Sequence, residues 1–170
     1  MKENGNPDSQ PIIVAALFRA VAKGVREEVP SAQITVEAGF AGDIHTKKEK
    51  RQVVLFSEEG RRELEELSGE GKKGLCFERF KENILTRNGR LEGCRTEDFI
   101  QAGKAGLTVS GGQKKCYPEC PFVQAKLPVK TFCPLQREVV FTDCVESGTV
   151  KRHDPIRITP AAARKMPPGE

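Results

Sequence analysis

The chain is 170 residues long, with 37% hydrophobic and 31% charged residues. That is the size of one domain, with too much apolar material for a wholly disordered chain. Its longest apolar run, Ile12 to Phe18, has seven residues, where a membrane-spanning helix needs about 20. A net charge of +4 with no Trp and a single Tyr argues against a nucleic-acid surface.

Residues 1–10 read as a loose tail, polar and mixed in charge, without a secretory pattern. A cytoplasmic location is therefore expected, with six free thiols rather than three disulfides. The body of the chain spans 11–159 as one domain, and 160–170, with three prolines, reads as a second tail.

The first element, Ile12 to Val21, is apolar and compatible with strand or helix. Ile34, Val36 and Ala38 alternate with Thr35 and Glu37, the period of a half-buried strand. Gly39 to Asp43 is loop chemistry, and Gln52 to Phe56 reads as a buried strand. Ser57 then fits a helix N-cap, with Glu58 and Glu59 in the first turn, where the helix dipole favours acids. Leu64 and Leu67 mark the buried face of a helix over 58–67 that Gly69 stops. Six acids and two bases between Glu58 and Glu70 make it acidic.

Residues 71–115 are basic instead, with ten Lys or Arg and five Asp or Glu. Short apolar stretches at 75–77, 84–85, 99–100 and 107–109, separated by Gly-containing turns, predict several short strands of a barrel or sandwich. Val139, Val140, Phe141, Cys144 and Val145 fall at helical spacing, so a second helix is expected over 138–145, closed by Ser147-Gly148. Residues 149–158 read as strand, tight turn, strand. The expected fold class is mainly β.

Three groups of residues carry possible chemistry. Cys116 and Cys120 form a C-x3-C pair, and Cys133 follows thirteen residues later. Lys114 and Lys115 precede Cys116, and nearby cations favour the reactive thiolate. Soft thiolates also suit transition metals. A tetrahedral zinc site would need a fourth ligand from His45, His153 or a distant Cys, so a zinc-stabilised β domain stays open beside a reactive centre and plain buried thiols. Cys76 and Cys144 lie in apolar patterns and read as packing residues. Cys94 has no motif around it. The second group is Gly42-Asp43-Ile44-His45, followed by Lys47, Lys48, Lys50 and Arg51, a turn able to hold an anion or merely a solvated loop. The third is Glu82-Asn83-Ile84, in which Asn83 suits a turn.

The order of these segments resembles the MOSC domain family, the molybdenum cofactor sulfurase C-terminal domain, in its small, stand-alone bacterial form. The resemblance rests on Gly42-Asp43-Ile44-His45, Arg51 to Leu55, Phe80 to Thr86, Cys116-x3-Cys120, Cys133 to Glu138, Ser147 to Lys151 and Asp154 to Ile156. Residues 95–110 depart from the family pattern, with Gly103 and Gly106 as remnants of its usual turns. The resemblance implies a MOSC-like β-barrel with a few peripheral helices. It implies binding of the molybdenum cofactor (molybdopterin), and sulfur transfer or oxo and sulfido chemistry at molybdenum through a cysteine. Cys116 best matches the cysteine that ligates molybdenum or carries sulfur, with Cys120 and Cys133 as the other candidate metal ligands. His45, Arg51, Asn83, Lys114 and Lys115 are the expected cofactor-binding residues. No pyridoxal phosphate is expected on this chain alone. A cysteine desulfurase-type donor and a molybdoenzyme acceptor are the expected partners. A non-catalytic cofactor carrier or chaperone is the alternative.

Overall fold

A computed structural model of the protein describes residues 10–46, 52–111 and 114–164. In chain order, β1 (Ile13–Ala22), β2 (Val25–Val29), β3 (Ser31–Thr35), β4 (Gly39–Phe40) and β5 (Val53–Ser57) lead into helix α1 (Glu58–Gly69). Strands β6 (Ile84–Arg87), β7 (Phe99–Ala102) and β8 (Ala105–Val109) follow. Three short helices, α2 (Pro121–Gln124), α3 (Val129–Phe132) and α4 (Pro134–Glu138), precede β9 (Val140–Glu146), β10 (Gly148–Lys151), β11 (Ile156–Thr159) and the single turn α5 (Ala161–Arg164). The mainly β class is as expected.

Eight strands form one sheet in the order β11-β7-β8-β9-β5-β6-β1-β2, and β10-β3-β4 form a second. Among the described residues only β5 and β6 run parallel, joined through α1. The expected barrel does not close. The edge of β1 away from β6 is taken over Leu17 to Ala22 by β2. That leaves only Ile12 to Val14 to meet the chain before β11. There Val14 N–H donates to Asp154 O at 2.9 Å and His153 N–H to Val14 O at 2.8 Å. The result is one bridge, Ile13 to Pro155, rather than a ladder. Among the described residues the sheet is therefore curled but open.

The expected helix over 138–145 is a strand. Two patterns compete there. The 3–4 spacing of Phe141, Cys144 and Val145 suggests a helix, but Val140, Thr142 and Cys144 are the buried positions, which is alternation. Val139, Val140, Thr142 and Val145 are β-branched and favour the extended form. Both edges of β9 are then paired, by β5 and by β8, and this decides the conformation. The helix that exists ends at Glu138, with Pro134 in its first turn, where a missing N–H costs nothing.

Smaller expectations shift as well. Strand β3 buries Ala32 and Ile34, while Val36 lies beyond it and is exposed. Residues 75–77 form turns rather than a strand. Helix α1 starts at the Ser57 cap, whose hydroxyl accepts from Gly60 N–H. The left-handed residue that turns the chain afterwards is Gly71, not Gly69. Strands β10 and β11 join different sheets, pairing with β3 and β7. Of the expected C-terminal tail, 161–164 is a helical turn, with the Arg164 guanidinium 4.1 Å from the Phe99 ring centre. Residues 1–9 lie outside the described residues.

Two apolar clusters hold the molecule together. One lies between the sheets and includes Leu17, Ile34, Phe40, Leu55, Ile84, Ile100 and Leu107, all fully buried. The other gathers Phe56, Leu64, Phe77, Cys120, Phe122, Cys133 and Leu135 beneath α1 and the short helices. Edge-to-face ring pairs, Phe77 with Phe122 at 5.6 Å and Phe122 with Phe132 at 5.0 Å, fix the geometry of the second cluster.

Candidate functional site

The 41–46 turn, the end of β1 and the segment before β6 meet at Asp43 and Asn83. Gly42 has φ +82°, and a Cβ there would lie 2.9 Å from the Arg19 guanidinium. Glycine thus allows both the left-handed turn and the passage of Arg19. The turn presents Asp43, whose Oδ2 accepts from Ala20 N–H and from Asn83 Nδ2, both at 2.9 Å. Its Oδ1 accepts from His45 N–H at 2.7 Å. Asn83 also donates to Phe18 O at 3.2 Å, and its Oδ1 accepts from Val54 N–H at 3.0 Å. The amide of Asn83 is thus satisfied on both ends while nearly buried, and it straps β1, β5 and the 41–46 turn together.

This strap forms part of the wall of a cavity of about 710 Å³. Asp43, His45 and Asn83 line it, with Arg19, Lys23, Arg26, Arg79 and Lys81 as cations and Glu78 and Glu82 as further acids. Phe18, Val54, Phe80 and Phe141 supply apolar surface. Glu82 is the hub of the cations. It is buried, and it accepts from Arg26 Nη1 at 3.1 Å and Arg61 Nε at 3.0 Å. The Arg26 guanidinium lies 3.8 Å from the Phe18 ring centre, a cation–π contact that holds it flat. Burial, then repulsion from Arg26 and Arg61, pushes the Lys81 ammonium below its ordinary range. An anion in the cavity would relieve that repulsion. Arg26 and Glu82 also line a second cavity of about 430 Å³, with Arg61, Arg62 and Glu58 of α1.

The expected site residues divide. His45 and Asn83 come together at the cavity; Lys114 and Lys115 do not line it. Arg51 and the 47–50 cations lie outside the described residues. Among the described residues, the cavity cations Arg19, Lys23 and Arg26 come from the β1–β2 hairpin. No local signal marks Arg26, because its partner Glu82 lies 56 residues away. Glu82 itself was legible in part, as the neighbour of Asn83 in a motif.

No cysteine lines the cavity. Cys116 is exposed on the irregular 114–119 segment, and its Sγ accepts from Gln136 Nε2 at 3.0 Å. Cys120 and Cys133 are buried in the second apolar cluster, and Cys76 packs against it. Cys76 and Cys144 pack as expected. Lys114 does pull the Cys116 pKa down, but the expectation of a thiol with a net lowered pKa is corrected. Desolvation pushes that thiol above the ordinary range, against the pull of Lys114, and Cys120 and Cys76 add to the rise. Lys114 directs its ammonium toward Lys115 O, 3.4 Å away. All six cysteines are free thiols. Among the described residues no three His, Cys, Asp or Glu side chains are grouped to hold a metal ion. Nor is any helix among them long and apolar enough to cross a membrane.

Comparisons with known proteins place this geometry in a family. No curated protein sequence matches the chain. Solved structures are similar in fold. The YuaD protein of Bacillus subtilis aligns with a TM-score of 0.64 at 16% identity, over 88% of this chain and 96% of that one. YiiM of Geobacillus stearothermophilus gives a TM-score of 0.54 at 13% identity, over 88% of this chain and 76% of that one. YiiM of Escherichia coli gives 0.55 at 17%, over 86% and 69%. The MOSC domain profile matches residues 41–157, a span that takes in Asp43, Asn83 and the three candidate cysteines, and by that match the chain belongs to the MOSC domain family.

Proposed function

We propose that the cavity walled by Asp43, His45 and Asn83 binds an anionic pterin cofactor of the molybdopterin type, and that Cys116 carries sulfur for it. One observation carries the reading. Two motifs forty residues apart, Asp43 and Asn83, join by a hydrogen bond in the wall of a cavity that gathers five cations. The donor set suits such a ligand. Phe18, Phe80 and Phe141 supply apolar surface suited to a flat ring, and the guanidinium and ammonium groups suit a phosphate. When bound, the cofactor would supply molybdenum, the centre of the family's oxo and sulfido exchange. This chain's own residues would bind and orient it: Arg26, held by Glu82, and Lys81 toward the anionic end, with Asn83 keeping the wall in shape. Sulfur would come from a partner with cysteine desulfurase chemistry and go to a molybdoenzyme acceptor, in the cytoplasm.

The exclusion of every cysteine from the cavity lining favours a second reading, a carrier that delivers cofactor without sulfur chemistry. Both readings meet one experiment. Protein purified without oxygen from a cofactor-making host is oxidised and assayed for the fluorescent pterin product, with molybdenum measured beside it. Pterin and molybdenum together support binding; absence of both in cofactor-replete cells overturns it. Persulfide labelling at Cys116 separates sulfur handling from a carrier role.

A further inference from the structure

We propose that Cys133 is the second thiol of a two-cysteine sulfur centre, attacking a persulfide on Cys116 and expelling its outer sulfur as sulfide; this rests on the reading of Cys116 as sulfur carrier. Four of the six cysteines gather at the short-helix layer. Cys120 and Cys133 lie inside the second apolar cluster, Cys76 packs against it, and Cys116 stands exposed at its rim. Gln136 ties one pair of them together. Its Nε2 donates to Cys116 Sγ at 3.0 Å, while its backbone N–H donates to Cys133 O at 3.0 Å. Cys133 is the N-cap residue of α4, the helix that carries Gln136, so Cys133 and Gln136 lie within one helical turn.

The division of labour follows from exposure. Cys116 lies on irregular backbone where a persulfide donor can reach it, and Cys133 is shielded from bulk thiols. In the step, the Cys133 thiolate attacks the inner sulfur of the Cys116 persulfide. The bond between inner and outer sulfur breaks, and its electron pair leaves on the outer sulfur, which departs as hydrosulfide. A Cys116–Cys133 disulfide forms. The outer sulfur is reduced by two electrons, and the two thiols are oxidised by the same two. A low-molecular-weight persulfide, or the persulfide of a desulfurase, supplies the sulfur. A cellular dithiol reductant resets the disulfide.

The test charges the full chain anaerobically with one equivalent of glutathione persulfide, removes the reagent and follows sulfide without added thiol. Non-reducing peptide mapping then locates the sulfur. The expected result is one sulfide released per persulfide loaded and a Cys116–Cys133 linkage in the wild-type protein. In Cys133→Ser, release falls by about tenfold or more, because the attacking thiol is gone, and Cys116 keeps the mass of one added sulfur. Wild-type mapping decides the matter even if that variant folds poorly. A persulfide that stays on Cys116, a linkage from Cys116 to Cys120 or Cys76, or the added sulfur found on Cys133 overturns the inference while leaving Cys116 a sulfur carrier. Failure of Cys116 to take up sulfur at all overturns both.

Discussion

At the scale of single residues, reactivity and support separate cleanly. Desolvation outweighs Lys114 at Cys116, so its pKa lies above the ordinary thiol value of 9.0. Its alkylation rate should therefore still be rising through and beyond that pH, and the rate-against-pH curve of a protein with Cys116 as sole accessible thiol measures this. A midpoint below the ordinary value would mean that Lys114 dominates after all. Asn83 has the opposite character, a nearly buried amide with every hydrogen bond made. Asn83→Ala strands Val54 N–H, Phe18 O and part of Asp43. One buried unsatisfied group costs about 1–3 kcal/mol, so urea unfolding should show a loss of at least that size. A loss under about 0.5 kcal/mol would mean that water replaces the strap.

At the scale of elements, α1, α4 and the 88–92 segment are joined by charge. Glu138 is fully buried at the end of α4. Its Oε2 accepts from Ser57 Oγ at 2.7 Å, and its Oε1 accepts from Arg90 Nη1 at 2.7 Å. Arg90 and Arg137 also reach Glu63 on α1, both at 2.6 Å. Burial alone would raise the Glu63 pKa, but the hydrogen bonds from Arg137 and Arg90 together hold it below the ordinary carboxylate value. Gly60 makes room for this packing, since a Cβ there would lie 2.5 Å from Glu138 Oε2. Arg90→Ala leaves the buried Glu138 carboxylate without its ion-pair partner, a loss of about 3 kcal/mol. Adding Glu138→Gln should recover part of it, because the neutral amide carries no unpaired charge. Chemical denaturation of the single and double variants checks the cycle, and a double variant weaker than Arg90→Ala would contradict it.

At the scale of the whole molecule, two properties follow from burial and charge. Burial, with Asp98 nearby, pushes the Cys94 thiol up to about 11, and burial also raises Cys133 and Cys144. In the unfolded chain these thiols ionise at their ordinary value, so the unfolded state loses protons first. Stability is therefore fully present below about pH 9 and falls as pH rises toward about 11. Two pKa units bound the Cys94 share at about 3 kcal/mol. Cys94→Ala should flatten the alkaline slope of stability, measured under reductant; an unchanged slope would remove Cys94 as a cause. The second property is the set of cations lining the larger cavity. Arg26→Ala and Lys81→Ala should each weaken pterin retention and make it less sensitive to salt. Equal retention across a salt series in both variants would mark these as solvated charges.

The sequence by itself determined what depends on neighbours along the chain. Ser57 before two glutamates specified the start of α1, Gln52 to Phe56 specified β5, and the ordered motifs specified the family. Local rules suffice there because capping and a short buried run are satisfied within a few residues. Tertiary structure decided the rest. Residues 140–146 carry both a helical and an alternating pattern, and pairing with β5 and β8 on either edge selected the strand. The barrel stayed open because β2 occupies the edge of β1 on which closure depends, a competition between two distant segments for one set of backbone groups. The same holds at the site. Asp43 and Asn83 were legible as turn chemistry, but their bond, the Arg26–Glu82 pair and the position of Cys116 outside the cavity arise from contacts across the fold. Desolvation outweighs the expected pull of Lys114 on Cys116, because burial is a property of the packed molecule and has no counterpart in sequence spacing.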